Sequence, residues 1–204
     1  MPRFLILPAL LLASPALAHH PLGGEAPQTL FHGLISGLAH PVIGLDHLAI
    51  IVLIGLAAAF AGRAIAAPFA FIAATLVGTA LHLGGVILPL AELVIAASVV
   101  VLGALLVLGR QVAGPAALAG FAVAGLFHGW GYGEAVIGAT PMPIFAYLLG
   151  FGLIQLVILT AVAKLAGRML EQTQSQIQAR VAAAVCLGAG LVFFVETLEH
   201  MILS

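Results

Sequence analysis

The residues best suited to chemistry in this chain are histidines and carboxylates that stand within or beside long apolar runs. One group has the pattern His40-x5-Asp46-His47, with Pro41 directly after its first histidine. Imidazole and carboxylate together suit borderline divalent ions such as Ni²⁺, Co²⁺ or Zn²⁺, whereas Mg²⁺ and Ca²⁺ prefer oxygen ligands alone. Ionisable groups inside membrane segments cost about 2.5–3.5 kcal/mol each for Asp, Lys or Arg, so they mark a site by default. The pattern favours a metal site over the alternative, in which these side chains only hydrogen-bond between helices.

A second group lies at residues 127–134, in the order Phe-His-Gly-Trp-Gly-Tyr-Gly-Glu. Its alternate glycines predict an irregular backbone, which is tolerated at membrane depth where it lines a cavity. His128 and Glu134 are therefore candidate metal ligands. Trp130 and Tyr132 are interpreted as anchors at the membrane interface.

Other ionisable side chains extend the candidate set. His32 and His82 are further candidate ligands at the edges of apolar runs. Glu196, Glu199 and His200 are spaced i, i+3 and i+4, so they share one helix face. That face either contributes ligands or meets water, and both interpretations stay open.

The composition places these residues in a membrane protein. The 204-residue chain is 63% hydrophobic and 6% charged, with a mean hydropathy of +1.27, which exceeds what a soluble domain can bury. A net charge of -1 leaves no basic surface for a phosphate backbone, so nucleic acid is excluded as a partner. The single cysteine, Cys186, excludes an intrachain disulfide and CxxC metal motifs.

The chain divides into a leader and one domain. Residues 1–18 combine Arg3, an apolar run and an Ala16-x-Ala18 end, which predicts a cleavable signal peptide; a retained first helix is the alternative. Residues 19–204 then form an all-α transmembrane domain, because the remaining apolar runs lack the alternation of barrel strands. Six spans are predicted, at residues 41–61, 64–83, 90–108, 115–130, 142–163 and 181–203, and Pro41 is expected in the first turn of the first of them.

The basic residues predict the orientation. They fall in the first, third and fifth connections, and these loops should therefore be cytoplasmic: Arg63, Arg110, Lys164, Arg168 and Arg180. The mature N-terminus and the C-terminus then face the periplasm of a bacterial inner membrane. Residues 171–180 are interpreted as the last cytoplasmic loop, a solvated connector with no sign of a second domain.

The chain resembles the HupE/UreJ family of membrane permeases. His40, Asp46 and His47 meet the family's first motif, His-x5-Asp-His, in full. The second motif, Phe-His-Gly-x-Ala/Val-His-Gly-x-Glu, is met in part: Tyr132 stands where the family has a second histidine, and Glu134 comes one residue early. The resemblance implies a six-span permease that supplies nickel, or in some members cobalt, to metalloenzymes such as hydrogenase and urease.

The implied mechanism is facilitated diffusion of the divalent ion from periplasm to cytoplasm, without a permanent cofactor or an enzymatic step. The chain has no Walker motif, so it does not hydrolyse ATP. Its partners would be the transported Ni²⁺ or Co²⁺, the lipid bilayer and metalloenzyme maturation factors. Two alternatives stay open: a membrane-embedded zinc hydrolase that uses the His/Asp/Glu cluster, and a haem carrier with paired histidines.

Overall fold

The computed structural model describes residues 25–61, 66–170 and 173–203, so the predicted signal peptide lies outside the described residues. Every regular element in these ranges is helical, as the all-α prediction requires. The helices are α1 (Leu30–Ile43), α2 (Leu45–Phe60), α3 (Ala66–Leu83), α4 (Ala91–Val107), α5 (Gly114–Gly133), α6 (Pro141–Leu170) and α7 (Thr173–Leu203). A 3-10 turn, Glu134–Val136, follows α5.

The first predicted span is a bent pair of helices. Helix α1 begins eleven residues before Pro41 because the Thr29 hydroxyl caps it, accepting a hydrogen bond of 3.1 Å from the His32 backbone N–H. Pro41 therefore lies near the end of α1, and its predicted place in a first turn is wrong. A proline inside a helix removes one backbone hydrogen bond and crowds the preceding turn. The chain leaves the helix at Gly44, and α2 continues at an angle of 75° to α1.

Helix α2 lies at the centre of the bundle. It packs against α1, α3, α4, α6 and α7. Ile50, Ile51, Leu53 and Ile54 on this helix are at most 1% exposed, so apolar contacts surround it on all sides. A helix that is apolar around its whole circumference is stable only in such a position. Only the first turn of α2, which carries Asp46 and His47, departs from this apolar character.

Helices α3 and α5 approach closely along a stripe of glycines. A Cβ atom at Gly129 would overlap the Thr75 carbonyl, and one at Gly78 would overlap the Leu126 carbonyl. Thr79 joins the two helices by donating a hydrogen bond of 2.7 Å to the Gly129 carbonyl. The predicted irregular backbone is wrong for residues 127–133, because this stretch remains helical, and Gly129 and Gly133 pack α5 against α3.

Length and composition identify fewer spans than the six predicted. Within the described residues, Pro141–Arg168 of α6 and Gln176–Leu203 of α7 are long and apolar enough to cross a membrane, and the bent α1–α2 pair is a third if it counts as one span. The apolar parts of α3 and α4, Phe69–Leu83 and Ala91–Val107, are shorter. The described residues are thus all-helical, with two or three candidate membrane spans. The predicted connector at 171–180 is wrong from residue 173 onward, where α7 begins.

The bundle has one polar end and one basic end. Helices α4 and α7 pack antiparallel, since Gly103 contacts Leu187 while Gly190 contacts Val99. The loop after α4 meets the beginning of α7, where the Arg180 guanidinium lies against Gly109. Carboxylates and histidines gather instead at the other end, where α2 and α4 begin and α5 and α7 end.

Substituting Gly129 by alanine should destabilise the protein, because the added methyl group meets the Thr75 carbonyl, which cannot move without shifting α3. Overpacking of this kind costs about 1–3 kcal/mol. Thermal unfolding of the purified protein in detergent measures the effect. Gly120→Ala on the same helix is the control, because a Cβ atom at this position would lie in open space. Equal melting temperatures for the two variants would contradict the packing described here.

Candidate metal-binding cavity

A cavity of about 530 Å³ opens at the polar end of the bundle, between α2, α4, α5 and α7. Its polar lining comes from four helices and the turn after α5: His40, Asp46, His47, Glu92, Glu134, Glu196, Thr197 and His200. Ile95, Ala96 and Phe193 supply apolar wall. Residues that are far apart in the sequence, from the first motif to the last helix, therefore face one space.

The cavity leads from exposed to buried side chains. Glu92, Glu134 and His200 are exposed, and they form its outer part. His40 is 2% and His47 4% exposed, so the inner part is shielded from solvent. The outer part therefore holds carboxylates and one imidazole, and the buried part holds His40, Asp46 and His47.

The bend at Gly44 explains how the first motif reaches the cavity. His40 lies at the end of α1, whereas Asp46 and His47 lie in the first turn of α2. Because the chain turns by 75° between them, the rings of His40 and His47 come within 5.6 Å of each other, centroid to centroid. Asp46 also stands at a helix N-terminus, where the macrodipole stabilises a negative charge.

His47 and His128 are in direct contact inside the bundle. Their Nδ1 atoms lie 3.0 Å apart, which joins α2 to α5. The other ring nitrogen of His128, Nε2, lies 2.9 Å from the Ser98 hydroxyl on α4. His128 is fully buried and does not line the cavity, so it stands behind His47 as seen from the cavity.

His40 has a comparable neighbour in Tyr147 on α6. The Tyr147 hydroxyl lies 3.0 Å from His40 Nδ1 and donates a hydrogen bond of 2.9 Å to the Tyr132 carbonyl. Tyr147 is completely buried. One hydroxyl therefore connects α1, α5 and α6.

Tyr132 lies inside the bundle, and its predicted role as an interfacial anchor is wrong. Its side chain is 0% exposed, and its ring lies 4.2 Å from the His47 ring and 5.1 Å from the His40 ring. Phe151 packs against it at 4.6 Å. Its hydroxyl has no hydrogen-bond partner among the described residues. The ring thus fills the space behind both histidines of the first motif and restricts their movement.

Three other candidates lie away from the cavity. His32 is exposed near the start of α1. The ring of His82 lies beside that of Trp130, with centroids 4.1 Å apart and planes tilted by 45°, and it packs against Gly133. Glu199 is exposed and does not line the cavity, although Glu196 and His200 of the same predicted face do.

Within the described parts of the chain, no three His, Cys, Asp or Glu side chains are arranged as a ready-made metal site. The structure also reveals two participants that the sequence analysis passed over, Ser98 and Tyr147. The signal that could have found Ser98 is its hydroxyl in the middle of α4, between apolar residues on both sides. Polar side chains in such helices commonly bond to a neighbouring helix.

Comparison with known proteins indicates the same family as the two sequence motifs. The family model described as HupE / UreJ protein matches residues 7–193. The chain is 32% identical over 157 residues to Protein HupE of Rhizobium leguminosarum bv. viciae, which covers 71% of this chain and 80% of that relative. No solved structure was found to match. With the match extending over most of its length, the chain belongs to the HupE/UreJ family.

Proposed function

We propose that this protein is a permease for a divalent transition-metal ion, with Ni²⁺ as the primary cargo and Co²⁺ as the alternative. The ion would move from periplasm to cytoplasm by facilitated diffusion. The observation that carries the proposal is the cavity, which leads from exposed carboxylates to the buried His40, Asp46 and His47. Membership of the HupE/UreJ family supports it.

The lining chemistry favours a borderline transition metal. Two imidazoles and a carboxylate line the buried part of the cavity, and this mixture of nitrogen and oxygen donors suits Ni²⁺ and Co²⁺ better than Mg²⁺ or Ca²⁺. The cavity volume of about 530 Å³ also has room for water. Six waters occupy roughly 180 Å³ at about 30 Å³ each, so a hydrated ion fits. The ion would exchange part of its water for His40, Asp46 and His47 as it moves inward.

Release requires that binding remain moderate. Conduction needs a site favourable enough to admit the ion and weak enough to let it go. The outer carboxylates Glu92, Glu134 and Glu196 would concentrate cations at the mouth without holding them tightly, since a charged cleft raises the local concentration of counter-ions. Asp46 would then offset the ion's charge in the shielded inner part.

The proposed orientation follows from the two ends of the bundle. The cavity would open to the periplasm, and the end with Arg110 and Arg180 would face the cytoplasm, in accord with the positive-inside tendency. Six crossings, with α1 and α2 counted as one, would place the C-terminus in the periplasm. We also propose that residues 1–18 are removed as a signal peptide and that the protein resides in the inner membrane.

The membrane potential is sufficient to drive uptake. A divalent cation that moves inward across 100 mV gains about 4.6 kcal/mol, twice the value for a unit charge. This corresponds to accumulation of more than about a thousandfold. The proposed recipients in the cytoplasm are maturation factors for nickel enzymes such as hydrogenase or urease.

Replacing Asp46 by Asn or His47 by Ala should reduce nickel uptake to the level of cells that lack the protein. Asp46→Asn keeps the size of the side chain and removes only its charge, so it isolates the electrostatic contribution. Uptake of radioactive nickel by cells, normalised to the amount of protein in the membrane, is the measurement. Full uptake by Asp46→Asn at equal protein level would refute the role of this carboxylate.

Glu196 and Glu199 form a matched pair on α7, because Glu196 lines the cavity and the exposed Glu199 does not. Glu196→Gln should raise the KM for nickel severalfold, since one cation-attracting charge is lost from the mouth. Glu199→Gln should leave KM unchanged. Initial uptake rates over a range of nickel concentrations distinguish the two. An equal rise in KM for both substitutions would indicate that nickel is attracted by the general surface charge and not along a defined path through the cavity.

Fusions of reporter proteins test the orientation. Alkaline phosphatase joined after Ser204 should be active, because this enzyme folds only in the periplasm, and green fluorescent protein at the same position should be dark. The reverse result is expected after Gln111, on the basic end. A bright fluorescent fusion at Ser204 would contradict the proposed orientation, because it would place the C-terminus, and with it the mouth of the cavity, on the cytoplasmic side.

A further inference from the structure

We propose that the side-chain amide of Gln155 on α6 is a second, deeper site for the transported cation, where its oxygen accepts hydrogen bonds from water bound to the ion. The site would follow the cavity on the way to the basic end of the bundle. Its ligand is the hydrated divalent cation in transit, so this inference rests on the proposed function.

One face of α6 leads inward from the residues around the cavity. Tyr147, Phe151 and Gln155 are each four residues apart, so they share this face, and all three are 0% exposed. The Tyr147 hydroxyl lies 3.0 Å from His40 Nδ1, and the Phe151 ring packs against that of Tyr132. Gln155 follows one helical turn further in.

Contacts with α2 define the depth of Gln155. The ring of Tyr132, which packs on Phe151, lies 4.2 Å from the ring of His47 in the first turn of α2. Further along α2, a Cβ atom at Gly55 would lie 3.1 Å from the Leu159 carbonyl, and Leu159 belongs to the hydrophobic core. Gln155 lies between these two levels. Its amide is therefore placed where the cavity residues end and the apolar core begins.

The surroundings of Gln155 fix the orientation of its amide. Its Nε2 donates a hydrogen bond of 3.2 Å to the Phe151 carbonyl and lies 3.4 Å from the Thr75 hydroxyl on α3. The Thr75 hydroxyl donates its own proton to the Ile72 carbonyl at 2.7 Å, so it can only accept from the amide. Because both neighbours are acceptors, the NH₂ group must face them and the amide oxygen must face away.

The amide oxygen of Gln155 is an unsatisfied acceptor inside the bundle. Gln155 Oε1 is buried and has no hydrogen-bond partner within the parts of the chain that the structure describes. A group of this kind loses its bonds to water on folding and gains none in return, so it needs an explanation other than stability. Polar side chains at membrane depth commonly mark the path of an ion or a substrate.

A hydrated divalent cation matches this acceptor. Water bound to such an ion donates strong hydrogen bonds, because the ion's charge polarises its O–H bonds, and an amide oxygen can only accept. Gln155 carries no charge, so it would hold the ion less firmly than a carboxylate and let it continue. The site would therefore ease passage from the cavity into the apolar core without adding to binding at the mouth.

Replacement of the amide tests the site. Gln155→Leu removes the acceptor, and Gln155→Met does the same with an unbranched side chain, should the leucine variant fail to fold. Initial nickel uptake is measured over a range of nickel concentrations, with purified full-length protein in lipid vesicles that are negative inside. Vmax should fall about 10- to 100-fold, the factor for one hydrogen bond to a charged group. KM should stay unchanged, because the cavity keeps its side chains.

Thr160→Val on the same helix is the control. The Thr160 hydroxyl donates a hydrogen bond of 2.6 Å to the Leu156 carbonyl of its own helix, so its removal takes one polar group from α6 without altering the amide of Gln155. Both Vmax and KM should match the wild type. An equal loss of Vmax in this variant would overturn the inference, because the loss would then not be specific to the amide.

Thermal unfolding separates transport from a structural role. Because the amide oxygen is unsatisfied, Gln155→Leu should not lower the melting temperature. A lower melting temperature with wild-type Vmax per folded protein would identify Gln155 as a structural link between α3 and α6 and would overturn the inference. A raised KM at unchanged Vmax would also overturn it, since that result places Gln155 in the cavity.

The two proposals fail in different ways. Wild-type protein that moves no nickel would refute the proposed function, and this site with it. Nickel uptake by the wild type, with the same Vmax and KM in folded Gln155→Leu, would refute the inner site only.

Discussion

The contact between His47 and His128 is the constraint on which the polar end of the bundle depends. Two imidazoles 3.0 Å apart, both almost fully shielded from water, must satisfy each other and their neighbours, because an unsatisfied buried polar group costs about 1–3 kcal/mol. This requirement fixes α2 against α5. The contact of Ser98 with His128 adds α4 to this hydrogen-bonded group of helices. The similar contact of Tyr147 with His40 joins α1 to α6.

Close packing of backbones makes this contact geometrically possible. His128 can stand behind His47 only if α5 lies deep against α3, and the glycines at 125, 129 and 133 remove the side chains that would keep these helices apart. In lipid, helix association relies on such close contact and on interhelical hydrogen bonds more than on the hydrophobic effect. The same feature that stabilises the bundle therefore positions the residues that line the cavity. The helix contacts that hold the bundle together are therefore the same contacts that shape the proposed transport site.

Local sequence features predicted a large part of this structure. Uninterrupted apolar runs were sufficient for an all-helical fold, and the spacing of His40, Asp46 and His47 was sufficient to select three residues that share a cavity. The bend at Gly44 and the interior place of Tyr132 were not predictable in this way. The place of Tyr132 depends on which helices are neighbours, which spacing along one chain does not encode, whereas the bend was missed because Pro41 was assigned to a first turn and not to the end of an earlier helix. The hydroxyl of Ser98 acquires its meaning only when α5 brings His128 beside it.

The central claim is that the cavity admits a transition-metal ion that then crosses the membrane. Purified protein in lipid vesicles, with an imposed potential that is negative inside, tests it most directly when nickel is added outside and its concentration inside is followed. Nickel is expected to accumulate in the vesicles, faster as the potential increases. Entry no faster than into protein-free vesicles, for protein that remains folded, would contradict the claim.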